Sequence, residues 1–148
     1  MEEKIEYILV SSCLLGSKTR YDGKDCYLKD IEKVKERYNI IPICPEVMSG
    51  LKTPRYPIEL NKNNQAFDKS GKNLTKKLNS QIEKIVYITR LYNIKFAILK
   101  EKSPCCGVDY IYDGQFNGNL INGSGLLTQK LKENNVIVYS EKDIEKLV

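Results

Sequence analysis

The sequence predicts a single α/β domain, a three-layer α/β/α sandwich of Rossmann-like design around a mainly parallel sheet of about four strands. Three observations carry this expectation. Short apolar, β-branched runs alternate with amphipathic stretches, the pattern of strands covered on both faces by crossover helices. The chain has 148 residues, one domain's worth at roughly 100–200 residues per domain. Apolar residues make up 41% and charged residues 29%, enough for one core and unlike a disordered chain or a coiled coil. No repeat or composition break divides the sequence, so residues 1–148 read as one domain.

Taken in order, Ile8-Leu9-Val10 reads as a buried strand. Leu28, Ile31, Val34 and Tyr38 mark one helical face, with Asn39 as its stop. Ile40-Ile41-Pro42-Ile43 reads as a second strand, whose proline places it near a strand end or sheet edge. Pro45 to Gly71 reads as an irregular segment, and connections of that length are functional or disordered. Leu74, Leu78, Ile82, Ile85 and Ile88 form the clearest helical stripe, with Asn73 or Thr75 as N-cap. Phe96 to Leu99 is the third strand, and Asp113-Gly114 marks a turn inside an excursion from Tyr110 to Gly123. Gly125 opens a short helix carrying Leu126, Leu127 and Leu131, Val136 to Tyr139 is the fourth strand, and Ser140 caps a terminal helix. Right-handed crossovers then place every strand's carboxyl end on one edge, where such sheets bind ligands.

Absences narrow the chemistry. The chain has no histidine, which excludes a Ser-His-Asp triad, a Cys-His pair and His-ligated zinc or iron. Proton transfer falls to Glu, Asp, Lys, Tyr, Cys or water. No apolar run approaches the roughly 20 residues that span a membrane. The opening Met1-Glu2-Glu3-Lys4 is acidic and unlike a secretory signal, so the cytoplasm is the expected compartment. The net charge is 24 − 19 = +5. Its lysines are interspersed with Glu and Asp, as on a solvated surface, which argues against nucleic acid as partner.

The five cysteines carry the strongest signal. Cys13 lies just past the first strand, Cys44 just past the second, and Cys105 and Cys106 just past the third. With strand order 2-1-3-4 these thiols converge on one edge. No CxxC motif occurs, which removes support for a zinc ribbon or thioredoxin-like site. Convergent thiolates without histidine suit a soft metal centre. An iron–sulfur cluster on three thiolates keeps one iron open as a Lewis acid. Cys26 reads as a structural cysteine. Glu46, two residues after Cys44, can orient or deprotonate water, or serve only as a cap. Ser103 can hydrogen-bond a substrate or act as a turn serine before Pro104. Arg20 and Arg55 place planar donors in loops, suited to an anionic or carbonyl-bearing ligand. Gly123-Ser124-Gly125 before a helix can bind an anion. A non-catalytic metal-binding or redox-sensing cysteine module is the competing reading.

Four segments together resemble a known family. They are Ser11-Ser12-Cys13-Leu14-Leu15-Gly16; Arg20-Tyr21-Asp22-Gly23; Cys44-Pro45-Glu46 running to Gly50-Leu51 and Thr53-Pro54-Arg55; and Leu99-Lys100-Glu101 with Ser103-Pro104 and Cys106-Gly107. In this order, across essentially the whole chain, they are similar to the compact bacterial proteins grouped as domain of unknown function 523, which include thiouracil desulfidases. The resemblance implies an oxygen-sensitive 4Fe-4S cluster held by Cys13, Cys44 and Cys106, with Glu46 and Ser103 as the catalytic pair. It implies a small thiolated pyrimidine as substrate and conversion of its thiocarbonyl to a carbonyl, with hydrogen sulfide released. Cys105 stands where the family's usual Ser-Pro-Ser-Cys-Gly has a serine, and sets a second thiol beside Cys106 that can compete for iron.

Overall fold

A computed structural model of the protein describes residues 6–148. The acidic start, Met1 to Lys4, lies outside the described residues. Strand β1 (Tyr7–Ser11) pairs on one side with β2 (Asn39–Ile43) and on the other with β5 (Phe96–Leu99), which pairs in turn with β8 (Ile137–Ser140). All three pairings are parallel, in register Val10↔Pro42, Val10↔Ile98 and Leu99↔Ser140. The order β2-β1-β5-β8 is the 2-1-3-4 arrangement under which the three cysteine loops are neighbours.

Side chains of a strand alternate between faces, and the core divides accordingly. Leu9, Ala97 and Leu99 pack with Leu78, Ile82 and Ile85 of α3 (Thr75–Leu91) and Leu127 and Leu131 of α4 (Leu126–Glu133). Ile8, Val10 and Ile98 face the other way, onto Ile31 and Val34 of α1 (Ile31–Arg37) and onto Ile144 and Leu147. Both faces of the central strands are buried, which explains their unbroken apolar runs. Pro42 sits on edge strand β2, where its missing N–H costs no ladder bond.

Several boundaries differ from the sequence reading. The first helix begins at Ile31 and ends at Arg37, and Asn39 is the opening residue of β2, opposite Tyr7. The 45–71 segment is structured. It holds α2 (Pro45–Met48) and an antiparallel hairpin of β3 (Ile58–Leu60) and β4 (Ala66–Asp68). The excursion is a second hairpin, β6 (Tyr110–Tyr112) and β7 (Leu120–Asn122). Asn73 Oδ1 accepts from the Thr75 N–H at 3.0 Å, while Thr75 Oγ1 accepts from Ala66 N at 2.8 Å and ties β4 to the helix start. Ser140 does cap its segment, accepting from Lys142 N, but the segment is a 3₁₀ helix, Glu141–Lys146.

Candidate functional site

The carboxyl edge of the sheet opens into a cavity of about 510 Å³, lined by Cys13, Cys44, Cys106, Glu46, Ser103, Arg20 and Arg55, but not by Cys105. After β1 the chain enters a 3₁₀ turn, Ser12–Leu15, stopped by Gly16 in the left-handed region at φ 99°. That turn holds Cys13, only 9% exposed, at the cavity wall. After β2, Cys44 is extended, and Pro45 at the first position of α2 needs no hydrogen-bond partner for its nitrogen. The short helix aims Glu46 back into the site.

Glu46 is 8% exposed. Its Oε2 lies 3.5 Å from Arg55 Nη2 and accepts from the Cys44 thiol at 3.5 Å. Its Oε1 is buried with no hydrogen-bond partner, as is Arg55 Nε. Arg55 Nη2 also donates to Thr19 O at 3.0 Å, which fixes the guanidinium against the 19–23 loop. Arg20 is held by Asp22 at 3.4 Å and by the Cys26 sulfur at 3.6 Å.

After β5 the chain runs Lys100 to Gly107. Ser103 Oγ accepts from the amides of Cys105 and Cys106 at 3.2 and 3.1 Å. The turn-serine role is therefore real, and its O–H remains available to donate. The start of α4 clamps the same loop. Gly125 N donates to Gly107 O, Leu126 N to Pro104 O, and Leu127 N to Cys105 O, at 2.8–2.9 Å. Thr128 Oγ1 donates to Cys106 O at 3.2 Å. Those amides are spent on the protein, which removes the anion site expected at Gly123-Ser124-Gly125.

The buried thiols resist ionisation. Burial pushes Cys13 and Cys106 well above the usual thiol range, and Cys44 up to about 11, with the Glu46 charge adding to the rise at Cys44 and Cys106. Cys105 is raised for the same two reasons. It is fully buried and does not line the cavity.

Sequence reasoning missed four contributors. Cys26 lines the cavity, and its N–H donates to Cys13 O at 2.9 Å, although it gave no periodic signal in a polar loop. Lys100 also lines it, and its Nζ pairs with Glu141 Oε2 at 2.7 Å. Glu59 Oε1 accepts from Gly114 and Phe116 amides at 3.0 and 3.1 Å, drawing the tip of the β6–β7 hairpin over the cavity. Glu101, within the Leu99-Lys100-Glu101 motif, anchors the loop that carries Cys106.

The 2-thiouracil desulfurase family model matches residues 8–143. The YbbK protein of Bacillus subtilis (strain 168) is 34% identical over 150 residues, 95% of this chain and 99% of that protein. Among solved structures, the 4Fe-4S-dependent thiouracil desulfidase TudS shares 35% identity at a TM-score of 0.88, over 96% of this chain and 95% of that one.

Proposed function

This chain belongs to the 2-thiouracil desulfurase family, and from that premise we propose that it is a hydrolytic desulfidase. Its substrate would be a small thiolated pyrimidine, 2-thiouracil or a related base or nucleoside, and not a nucleic acid. The thiocarbonyl and one water give a carbonyl and hydrogen sulfide, with no net electron transfer. One observation carries the reading: three thiols from three neighbouring strands meet a buried carboxylate in one cavity.

The donor set fits a 4Fe-4S cluster, the group in the neighbour's name. Cys13, Cys44 and Cys106 would hold it, since thiolates are its ordinary ligands and all three line the cavity. When bound on three thiolates, the cluster supplies an iron with an open position, a Lewis acid toward thiocarbonyl sulfur. A thiol-held cluster suits the reducing cytoplasm.

The chain's own residues do the rest. Glu46 takes a proton from the water that attacks the thiocarbonyl carbon, in a protein without histidine. Arg55 holds the Glu46 carboxylate in place. Ser103, its oxygen occupied by two amides, donates its hydroxyl proton to the substrate. Arg20 contacts the substrate at the rim. General-base help is worth about 10²–10⁴ in rate. Glu46→Gln is therefore expected to keep a brown, iron-loaded protein and lose sulfide release from 2-thiouracil by that factor. Full activity in Glu46→Gln would move the base elsewhere. Cys13→Ser, Cys44→Ser and Cys106→Ser are each expected to lower iron after anaerobic reconstitution, whereas Cys26→Ser is not.

A further inference from the structure

The β6–β7 hairpin brings no group to the reaction proposed above, yet the protein holds it firmly against the cavity. Its root is bound by Glu101, which accepts from the amides of Val108, Asp109 and Tyr110. Its tip is bound by Glu59, whose Oε1 accepts from Gly114 N and Phe116 N at 3.0 and 3.1 Å. Gly114 packs so tightly on β3 that a Cβ there would lie 2.6 Å from Leu60 O. Both carboxylates are buried, a placement that costs stability unless hydrogen bonds offset it. They fix an excursion whose strand β7 is wholly exposed. The result is that two rings from the hairpin, Tyr112 and Phe116, form part of the cavity wall.

The backbone of Phe116 is unusual. Its φ is 56°, a left-handed conformation that is uncommon outside glycine and asparagine and an outlier for a bulky side chain. Among the described residues it is the one aromatic residue at positive φ. Gly114, Asn117 and Gly118 lie close by, so the turn has residues suited to that conformation and still sets a phenylalanine in it. Backbone outliers of this kind cluster at ligand sites. The residue is half-buried, and among the described residues its ring stacks on no other. Pro57, Ile58 and Pro104 add apolar wall to the same cavity, as suits a flat ring held by its faces. We propose that Phe116 is the stacking platform for the substrate's pyrimidine ring, a specificity-determining residue that selects flat, conjugated rings. The proposal rests on the desulfidase reading for its substrate class and deepens it. The thiols and Glu46 serve the C=S unit, which any thioamide carries, whereas Phe116 reads the ring. Every pyrimidine base has a π-face, so the contact recognises the ring and not its substituents.

Cluster-loaded wild type, Phe116→Tyr, Phe116→Leu and Phe116→Asn test this, with iron per chain and melting profile recorded for each. Calorimetry gives Kd for uracil and for dihydrouracil, which carries the same polar edge on a puckered ring without the conjugated face. KM and kcat on 2-thiouracil are measured beside them. Base–aromatic stacking is worth roughly five- to 150-fold in affinity. Wild type and Phe116→Tyr are expected to bind uracil more tightly than dihydrouracil by about fivefold or more. Phe116→Leu keeps apolar bulk without a π-face and is expected to bring that ratio close to one. Its KM is expected to rise by about fivefold or more, with a smaller change in kcat. Phe116→Asn is expected to do the same, and it decides the matter should Leu fail to fold, since asparagine suits the left-handed backbone. All four proteins are expected to hold equal iron. A wild-type ratio in Leu or Asn would overturn the proposal, as would a wild type that binds both rings alike or neither. Iron loss in a variant that melts like wild type would overturn it too. A loaded wild type that discriminates the two rings but releases no sulfide from 2-thiouracil would overturn the desulfidase reading instead and leave the platform standing.

Discussion

Glu101 is 3% exposed, and one of its oxygens accepts from three consecutive amides, Val108 at 2.6 Å, Asp109 at 2.9 Å and Tyr110 at 3.0 Å. Burial alone would raise its pKa. The amides of Tyr110, Asp109, Val108 and Lys102 outweigh that and hold it below the usual carboxylate range. A carboxylate depressed on folding adds stability that is present above its unfolded pKa, about 4.3, and is lost as pH falls through the folded value. Glu101→Gln is therefore expected to cost about 1.5–3 kcal/mol near neutrality, the worth of hydrogen bonds to a charged group. Urea titrations of both proteins from neutral to acid pH check this. The gap is expected to shrink below about pH 4, and a gap independent of pH would contradict the assignment.

The start of α4 is the element that holds the third cysteine loop. Gly125→Ala would force a Cβ to 2.3 Å from the Cys105 carbonyl carbon and 2.4 Å from its oxygen. Backbone cannot yield as a side-chain tip can, so a loss of about 1–3 kcal/mol is expected, as for overpacking. Chemical denaturation together with iron per chain checks it, with iron retention expected to fall in step. The sequence could not show this clamp, because its partners are carbonyls and any loop residue has one. What it could show was the four-stranded sheet, since strands buried on both faces leave unbroken runs such as Ile8-Leu9-Val10. The hairpins escaped because their strands are three residues long and β7 is wholly exposed. The terminal segment is a helix, as expected, but of 3₁₀ type, and it buries Ile144. The site residues were legible for a topological reason. Parallel strands send their ends to one edge, so a cysteine after each of three strands had to arrive together.

At the scale of the whole molecule, the sheet is a device for concentration. Its central strand β1 delivers Cys13 between the loops of its two neighbours, which bring Cys44 with Glu46 and Cys106 with Ser103. Lys100 and Glu141 then tie β5's loop to the segment after β8, so all four strands support the site. Among the described residues, no helix is long and apolar enough to cross a membrane. In the proposed reaction water replaces sulfur in this cavity, and isotope transfer tests that exchange. Cluster-loaded protein is incubated anaerobically with 2-thiouracil in ¹⁸O-labelled water, and the product's mass and the sulfide released are measured together. Uracil carrying one ¹⁸O and an equal amount of sulfide are expected, with neither product from Cys44→Ser protein. Sulfide without the label, or no sulfide from iron-loaded wild type, would contradict it.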